Sequence, residues 1–180
     1  EQEDVYFYLT LLNENHRQPA MPAGAEEGIR RGLYRVSSGA ASGKGPRVQL
    51  LGSGAIFHEV AAAAALLRDD WGVEADVWSV PSFTELARDG NAAARASLLH
   101  PGEPPRRSRV EEQLGPTQGP VVAATDYVRA FAEQIRAFVP RRYVVLGTDG
   151  FGRSDTREKL RSFFEVDRFH VAVAALKALA

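Results

Sequence analysis

At 180 residues the chain is long enough to close one good core, or one domain plus part of a second. With 44% hydrophobic and 25% charged residues it has an ordinary globular composition, and a net charge of −1 gives no electrostatic case for nucleic acid or an anionic membrane as partner. The lack of any cysteine excludes disulfides, thiolate metal sites and a cysteine nucleophile.

Glu1-Gln2-Glu3-Asp4 leads at once into Val5-Tyr6-Phe7-Tyr8-Leu9-Thr10-Leu11-Leu12, apolar enough for a strand buried on both faces. Nothing precedes it to supply that burial, and the other end stops in mid-pattern at Leu176-Lys177-Ala178-Leu179-Ala180. A piece of a longer protein is therefore expected. No run approaches the ~20 apolar residues of a membrane span, no signal-peptide pattern opens the chain, and a cytoplasmic setting is expected. Asn13 to Pro22 is polar, carries Pro19 and Pro22, and excludes regular structure. Residues 24–33 suit a short helix, Tyr34-Arg35-Val36 extends, and Ser37 to Pro46 reads as a Gly/Ser/Ala-rich surface loop. The domain boundary is placed between Asn13 and Pro46.

From Arg47 the chain becomes regular. A strand at 47–51 ends in Gly52-Ser53-Gly54, and Ile56, Val60, Ala63, Ala64 and Leu67 recur at helical spacing over 55–69, with Gly72 as the stop. A second strand at 73–80 ends at Pro81. Ser82-Phe83-Thr84-Glu85 has capping-box spacing and predicts a helix near 83–88. From Asp89 to Gly119 the pattern is weak, broken by Pro101, Pro104, Pro105 and Pro116, and reads as an irregular excursion. Pro120 to Thr125 is a third strand, and Asp126 starts a helix with Val128, Phe131, Ile135 and Phe138 inward. Tyr143 to Leu146 is a fourth strand. Ser154 or Asp155 caps the next helix, which turns Leu160, Phe163 and Phe164 to one face, and Ala172, Ala175, Leu176 and Leu179 mark a last one. Strands alternating with amphipathic helices predict an α/β fold with a parallel or mostly parallel sheet and helices on both faces.

Gly52-Ser53-Gly54 lies where backbone amides can cradle a phosphate, but a dinucleotide fingerprint needs a glycine where Phe57 stands and an acid where Ser79-Val80 ends the second strand. Ser42-Gly43-Lys44-Gly45 lacks the leading glycine and trailing hydroxyl of a phosphate loop. His16, His58, His100 and His170 show no metal-ligand spacing, and no Gly-x-Ser-x-Gly elbow is present. The most distinctive string is Gly147-Thr148-Asp149-Gly150-Phe151-Gly152-Arg153-Ser154-Asp155, a turn between strand and helix. Its glycines serve the turn, and Ser154 and Asp155 serve as caps. Asp149 and Arg153 exceed turn chemistry: they suit a salt bridge across a domain or subunit contact, or contact with a bound anion.

The strings Asn13-Glu14-Asn15, Pro19-Ala20-Met21-Pro22, Gly24-Ala25-Glu26-Glu27-Gly28-Ile29-Arg30, Ser82-Phe83-Thr84-Glu85-Leu86-Ala87-Arg88-Asp89-Gly90 and Gly147 to Asp155 resemble the homodimeric bacterial pyruvate dehydrogenases. These are the thiamine diphosphate-dependent, decarboxylating first components of the pyruvate dehydrogenase complex. The Phe151-Gly152-x-Ser154 turn and the Leu160/Phe164 helix are also similar to the last domain of the transketolase superfamily. The resemblance covers only the C-terminal part of such an enzyme. It implies that residues 1–15 end a pyrimidine-binding domain, that 16–46 link domains, and that 47–180 form a transketolase-like C-terminal domain. Such a domain implies a mixed sheet of about five strands, with one further strand, antiparallel, in 31–36 or 106–125.

The resemblance also implies thiamine diphosphate and Mg2+ in the parent, pyruvate as substrate, a second copy as dimer partner and the dihydrolipoyl acyltransferase component as acceptor. It places no catalytic, cofactor-binding or metal residue on this chain, because the family's motifs for them lie upstream. Asp149, Arg153, Ser154 and Asp155 are left as interface or anion contacts. Two alternatives stay open: a stand-alone α/β anion- or nucleotide-binding module, and the same domain of a transketolase or branched-chain 2-oxo acid dehydrogenase.

Overall fold

The computed structural model describes residues 4, 6, 15–16, 19–40 and 45–180; the opening strand expected at 5–12 lies outside them apart from Tyr6, which is exposed and in no strand. One sheet organises the fold. Its strands are β1 (Tyr34–Ser37), β2 (Arg47–Gly52), β3 (Glu74–Ser79), β4 (Val121–Ala124) and β5 (Tyr143–Leu146), in the order β1-β3-β2-β4-β5. β2 to β5 are parallel, and β1 runs antiparallel to the outer edge of β3 with a register shift between Arg35 and Ser37. This is the mixed five-stranded sheet that the resemblance implies, its extra strand in the 31–36 window. The segment 16–46 is accordingly not linker throughout. Tyr34 and Val36 are half-buried, and the Arg35 guanidinium lies 5.6 Å from the Trp78 ring centre.

The helices are α1 (Glu26–Arg30), α2 (Phe57–Trp71), α3 (Phe83–Leu99), α4 (Arg109–Leu114), α5 (Arg129–Glu133), α6 (Arg157–Phe163) and α7 (Arg168–Leu179). β2 and β4 are apolar runs buried on both faces, as parallel strands between helical layers must be. On one face Leu51, Trp78, Val121 and Val145 pack with Leu86, Val110, Leu114 and Ile135; on the other Val48, Leu50, Val77 and Val122 pack with Val60, Leu67, Val171 and Ala175.

Several elements depart from the expected boundaries. α3 continues to Leu99, because Gly90 is no break: it lies inside the helix where the Phe138 ring covers it, and a Cβ there would overlap that ring. Ser82 accepts from the Glu85 amide at 3.1 Å, but the Glu85 carboxylate turns to Arg88, so only half of the expected box forms. A complete capping box joins Ser108 and Glu111 at the start of α4, inside the supposed excursion. The helix expected from Asp126 begins only at Arg129. Before it, the Tyr127 carbonyl accepts from the Thr148 amide at 2.9 Å, and the Tyr127 amide donates to Thr125 Oγ1 at 3.2 Å. Val128 and Phe131 are consequently exposed, and Phe163 on α6 is exposed as well. Thr156, not Ser154 or Asp155, caps α6, accepting from the Lys159 amide at 3.4 Å.

The first half of β2 and β3 carries a closed polar cluster. Gln49, fully buried, donates to Asp76 Oδ2 at 2.8 Å and to the Gln118 carbonyl at 3.0 Å, and accepts from Trp78 Nε1 at 2.8 Å. Arg47 donates to Asp76 Oδ1 at 2.7 Å, and so does the Gly39 amide at 3.0 Å. Buried polar atoms are tolerated when each has a partner, and here both Asp76 oxygens do. Gly119, at φ +79°, lets the turn into β4 pass against the Arg47 carbonyl; any Cβ would overlap that oxygen.

Candidate functional site

The chain goes from β2 outward to β3 and then crosses back to β4 on the other side. That reversal opens a crevice at the carboxyl ends of β2 and β4, the position where open α/β sheets hold ligands. β2 delivers Gly52-Ser53-Gly54 to it, β4 delivers Thr125-Asp126, and β5 delivers the Gly147 to Asp155 turn.

Within that turn the four sequence-expected residues go to separate places. Asp149 does not meet Arg153. It accepts from the Arg129 amide at 2.8 Å and forms an ion pair with the Arg129 guanidinium. Those two hydrogen bonds, the backbone one first, hold its carboxyl below the usual range. Gly147 permits the contact, since a Cβ there would come within 2.8 Å of the Arg129 amide. The Arg153 guanidinium lies over the Phe163 ring, 4.6 Å from its centre. Asp155 accepts from the Thr156 amide at 2.7 Å and faces Lys159 at 3.7 Å. Ser154 is exposed, as is Phe151 nearby.

Under this turn is a cavity of about 470 Å³, lined among others by Ile56, Asp126, Arg153, Arg157, Arg161 and Phe164. Asp126 is oriented by its neighbours: Thr148 Oγ1 donates to its carbonyl at 2.7 Å, and its carboxylate lies against Gly54, where a Cβ would come within 2.6 Å of Oδ1. That Oδ1 is buried and receives no hydrogen bond.

Next to the cavity, Glu59 was not legible as a key residue. It sits on the apolar stripe of α2 at 5% exposure and ties three helices together. Arg168 donates to it from its amide at 3.1 Å, its Nε at 2.9 Å and a guanidinium nitrogen at 3.2 Å, and Arg161 donates at 3.3 Å. Burial raises its pKa, but the Arg168 bonds and the two guanidinium charges outweigh burial and hold it below the ordinary carboxylate range. A carboxylate at helical spacing between Ile56 and Val60 was the available signal. The histidines fall in three places: His16 stacks on His58 at 5.0 Å, His100 is 3.9 Å from Glu103, and His170 Nδ1 is 2.7 Å from Asp167. Among the described residues no group of three His, Asp or Glu side chains could hold a metal ion. The described residues therefore offer no ligand set that fits the Mg2+ of the implied cofactor.

Residues 32–167 match the transketolase-like TK C-terminal domain family. The chain belongs to that family. Along its whole length it is 67% identical to the pyruvate dehydrogenase E1 component of Cupriavidus necator, 60% to that of Pseudomonas aeruginosa and 55% to that of Escherichia coli K12. In each case it spans about a fifth (20%) of the relative. The resemblance read from the sequence strings agrees with all three. Among solved structures, transketolase from Leishmania mexicana is similar at a TM-score of 0.55 and 21% identity, over 85% of this chain and 18% of that one. Transketolase from Campylobacter jejuni follows at 0.54 and 18%, over 83% and 19%. At such identities these likenesses show the fold of the transketolase-like C-terminal domain and nothing of its activity. No helix of the described residues is long and apolar enough to cross a membrane.

Proposed function

We propose that this transketolase-like domain is the C-terminal part of a pyruvate dehydrogenase E1 component, and that it shapes the enzyme without taking part in the chemistry. The observation that supports the reading is 67% identity, over the whole chain, to a protein of that name. In this reading the parent decarboxylates pyruvate on thiamine diphosphate with Mg2+ and acetylates the lipoyl group of the dihydrolipoyl acyltransferase component. It acts as a cytoplasmic homodimer within the multienzyme complex. Residues 1–15 end its pyrimidine-binding domain, and the link from residue 16 runs into the sheet at Tyr34. The cofactor and Mg2+ are held upstream, in keeping with the donor set of the described residues. The Asp149–Arg129 pair stiffens the β5 turn, and Arg153, Ser154 and Asp155 face a neighbouring domain or subunit.

Two measurements test it. The full-length protein is expected to release CO2 from pyruvate only with thiamine diphosphate and Mg2+; preference for a sugar phosphate or a branched 2-oxo acid would overturn the substrate. Calorimetry on the isolated chain is expected to show no thiamine diphosphate binding. A micromolar affinity would overturn the non-catalytic role.

A further inference from the structure

Asp–Gly dipeptides are prone to a spontaneous backbone rearrangement, because glycine offers its amide nitrogen to the preceding side chain with no Cβ in the way. The nitrogen attacks the Asp Cγ and a C–N bond forms. The amide proton and the carboxyl O–H leave together as water, and a five-membered succinimide closes. Water then reopens the ring at either carbonyl. One route restores aspartate; the other leaves isoaspartate, whose main chain runs through Cβ and Cγ. One water is lost and one regained, so the mass is unchanged and nothing is oxidised or reduced.

The chain carries this dipeptide twice, at Asp89–Gly90 and at Asp149–Gly150, and the fold treats the two in opposite ways. Asp89–Gly90 lies inside α3, where helical backbone angles and the helix hydrogen bond hold the Gly90 amide away from the Asp89 side chain. The Phe138 ring covers Gly90, and the Asp89 carboxylate accepts from the Arg109 amide. Ring closure there requires the helix to open. Asp149–Gly150 lies outside any helix or strand, and both residues are exposed. Gly150 stands at φ +91° with nothing within 4 Å of where a Cβ would be, so the backbone can turn there without collision. Its amide donates no hydrogen bond among the described residues.

What holds Asp149 is Arg129, whose amide donates to Oδ1 at 2.8 Å and whose guanidinium pairs with Oδ2. This clamp opposes ring closure twice. It fixes the carboxyl against rotation toward the Gly150 nitrogen. It also keeps the group ionised, below the usual carboxylate range, whereas the attack needs the protonated carboxyl from which water can leave. We propose that Asp149–Gly150 is the isoaspartate-forming site of this domain, and that the Arg129 guanidinium sets its rate. Isoaspartate at 149 lengthens the turn by one backbone carbon and withdraws the side-chain carboxylate from Arg129. The adjoining bonds from Thr148 to the Tyr127 and Asp126 carbonyls then lose their support, and the ends of β4 and β5 loosen.

The test is to incubate the full-length protein for weeks at mildly acidic pH and to quantify isoaspartate by electron-transfer fragmentation of its peptides. The tryptic peptide Tyr143–Arg153 carries Asp149, and a peptide spanning Asp89 is the internal control. Isoaspartate is expected to accumulate at 149 while 89 stays at its starting level. Arg129→Gln keeps the backbone donor and removes the guanidinium; it is expected to speed conversion about threefold, the scale of a surface ion pair. Gly150→Ala is expected to slow it. The proposal is overturned if no isoaspartate forms at 149 in Arg129→Gln, if 89 converts as fast as 149 in the parent protein, or if Arg129→Gln and the parent convert at the same rate. None of these outcomes reads turnover, so a failed pyruvate assay would leave them untouched.

Discussion

In the first half of β2 and β3, Arg47, Gln49 and Asp76, with the indole N–H of Trp78 from further along β3, use up one another's hydrogen-bonding capacity, and a glycine is needed to let two backbones touch. At the carboxyl ends of the same sheet, Asp126 keeps a buried oxygen without a donor, Phe151 is 95% exposed, and two glycines face open space. One strand set thus carries a saturated end and an unsaturated end. Polar groups at the saturated end are already committed and can only stabilise. The exposed residues of the β5 turn at the other end, Phe151, Arg153 and Ser154 among them, remain open to a neighbour, so function is to be sought there.

Substitutions can break or sharpen this contrast. The largest effect is expected for Gly119→Ala, which puts a Cβ onto the Arg47 carbonyl at a left-handed φ and should destabilise by about 4 kcal/mol in denaturant unfolding. Asp76→Ala strips partners from Arg47, Gln49 and Gly39. A loss of about 3 kcal/mol is expected, lowering the thermal midpoint by about 6–12 °C. Glu59 is the closed element near the open end. Its depressed folded-state pKa means its stabilisation is present above the unfolded value of 4.5 and lost as pH falls through the lower folded value. Glu59→Gln should cost about 1–2 kcal/mol at pH 7 and progressively less as pH falls below 4.5, with a flatter stability profile in that acid range. Gly150→Ala, at φ +91° but unobstructed, should cost about 1 kcal/mol, and Gly152→Ala should stay within about 0.5 kcal/mol. If Gly152→Ala destabilised as much as Gly119→Ala, the two ends would not differ as described.

The sheet was legible because β2 to β5 are short apolar runs bounded by glycine or proline, and such runs have few other uses. The length of α3 was not, because Gly90 and the prolines after it look like breaks, whereas Gly90 is shaped by Phe138 from a distant part of the chain. The Ser108-x-x-Glu111 box was present in the sequence with the same spacing as Ser82-x-x-Glu85, but lay hidden among Pro104, Pro105 and Pro116. At the site, the Gly147 to Asp155 turn was found from its glycines, while its pairings were not. Asp149 meets Arg129 only because β4 and β5 end side by side, and sequence spacing carries no trace of that. Asp126 was read as a helix start. Its carboxylate became notable only once Gly54 was seen pressed against it.

The antiparallel β1 has a consequence for synthesis. Its partner β3 is translated after β2 and α2, so residues 34–37 must wait with both edges unpaired while the ribosome finishes that unit. Arg35, in the middle of the waiting strand, is the kind of charged gatekeeper that opposes association with other nascent chains. Once β3 emerges, the same guanidinium settles over Trp78. Arg35→Val is therefore expected to leave the unfolding free energy of the purified chain almost unchanged while lowering the soluble fraction made during expression.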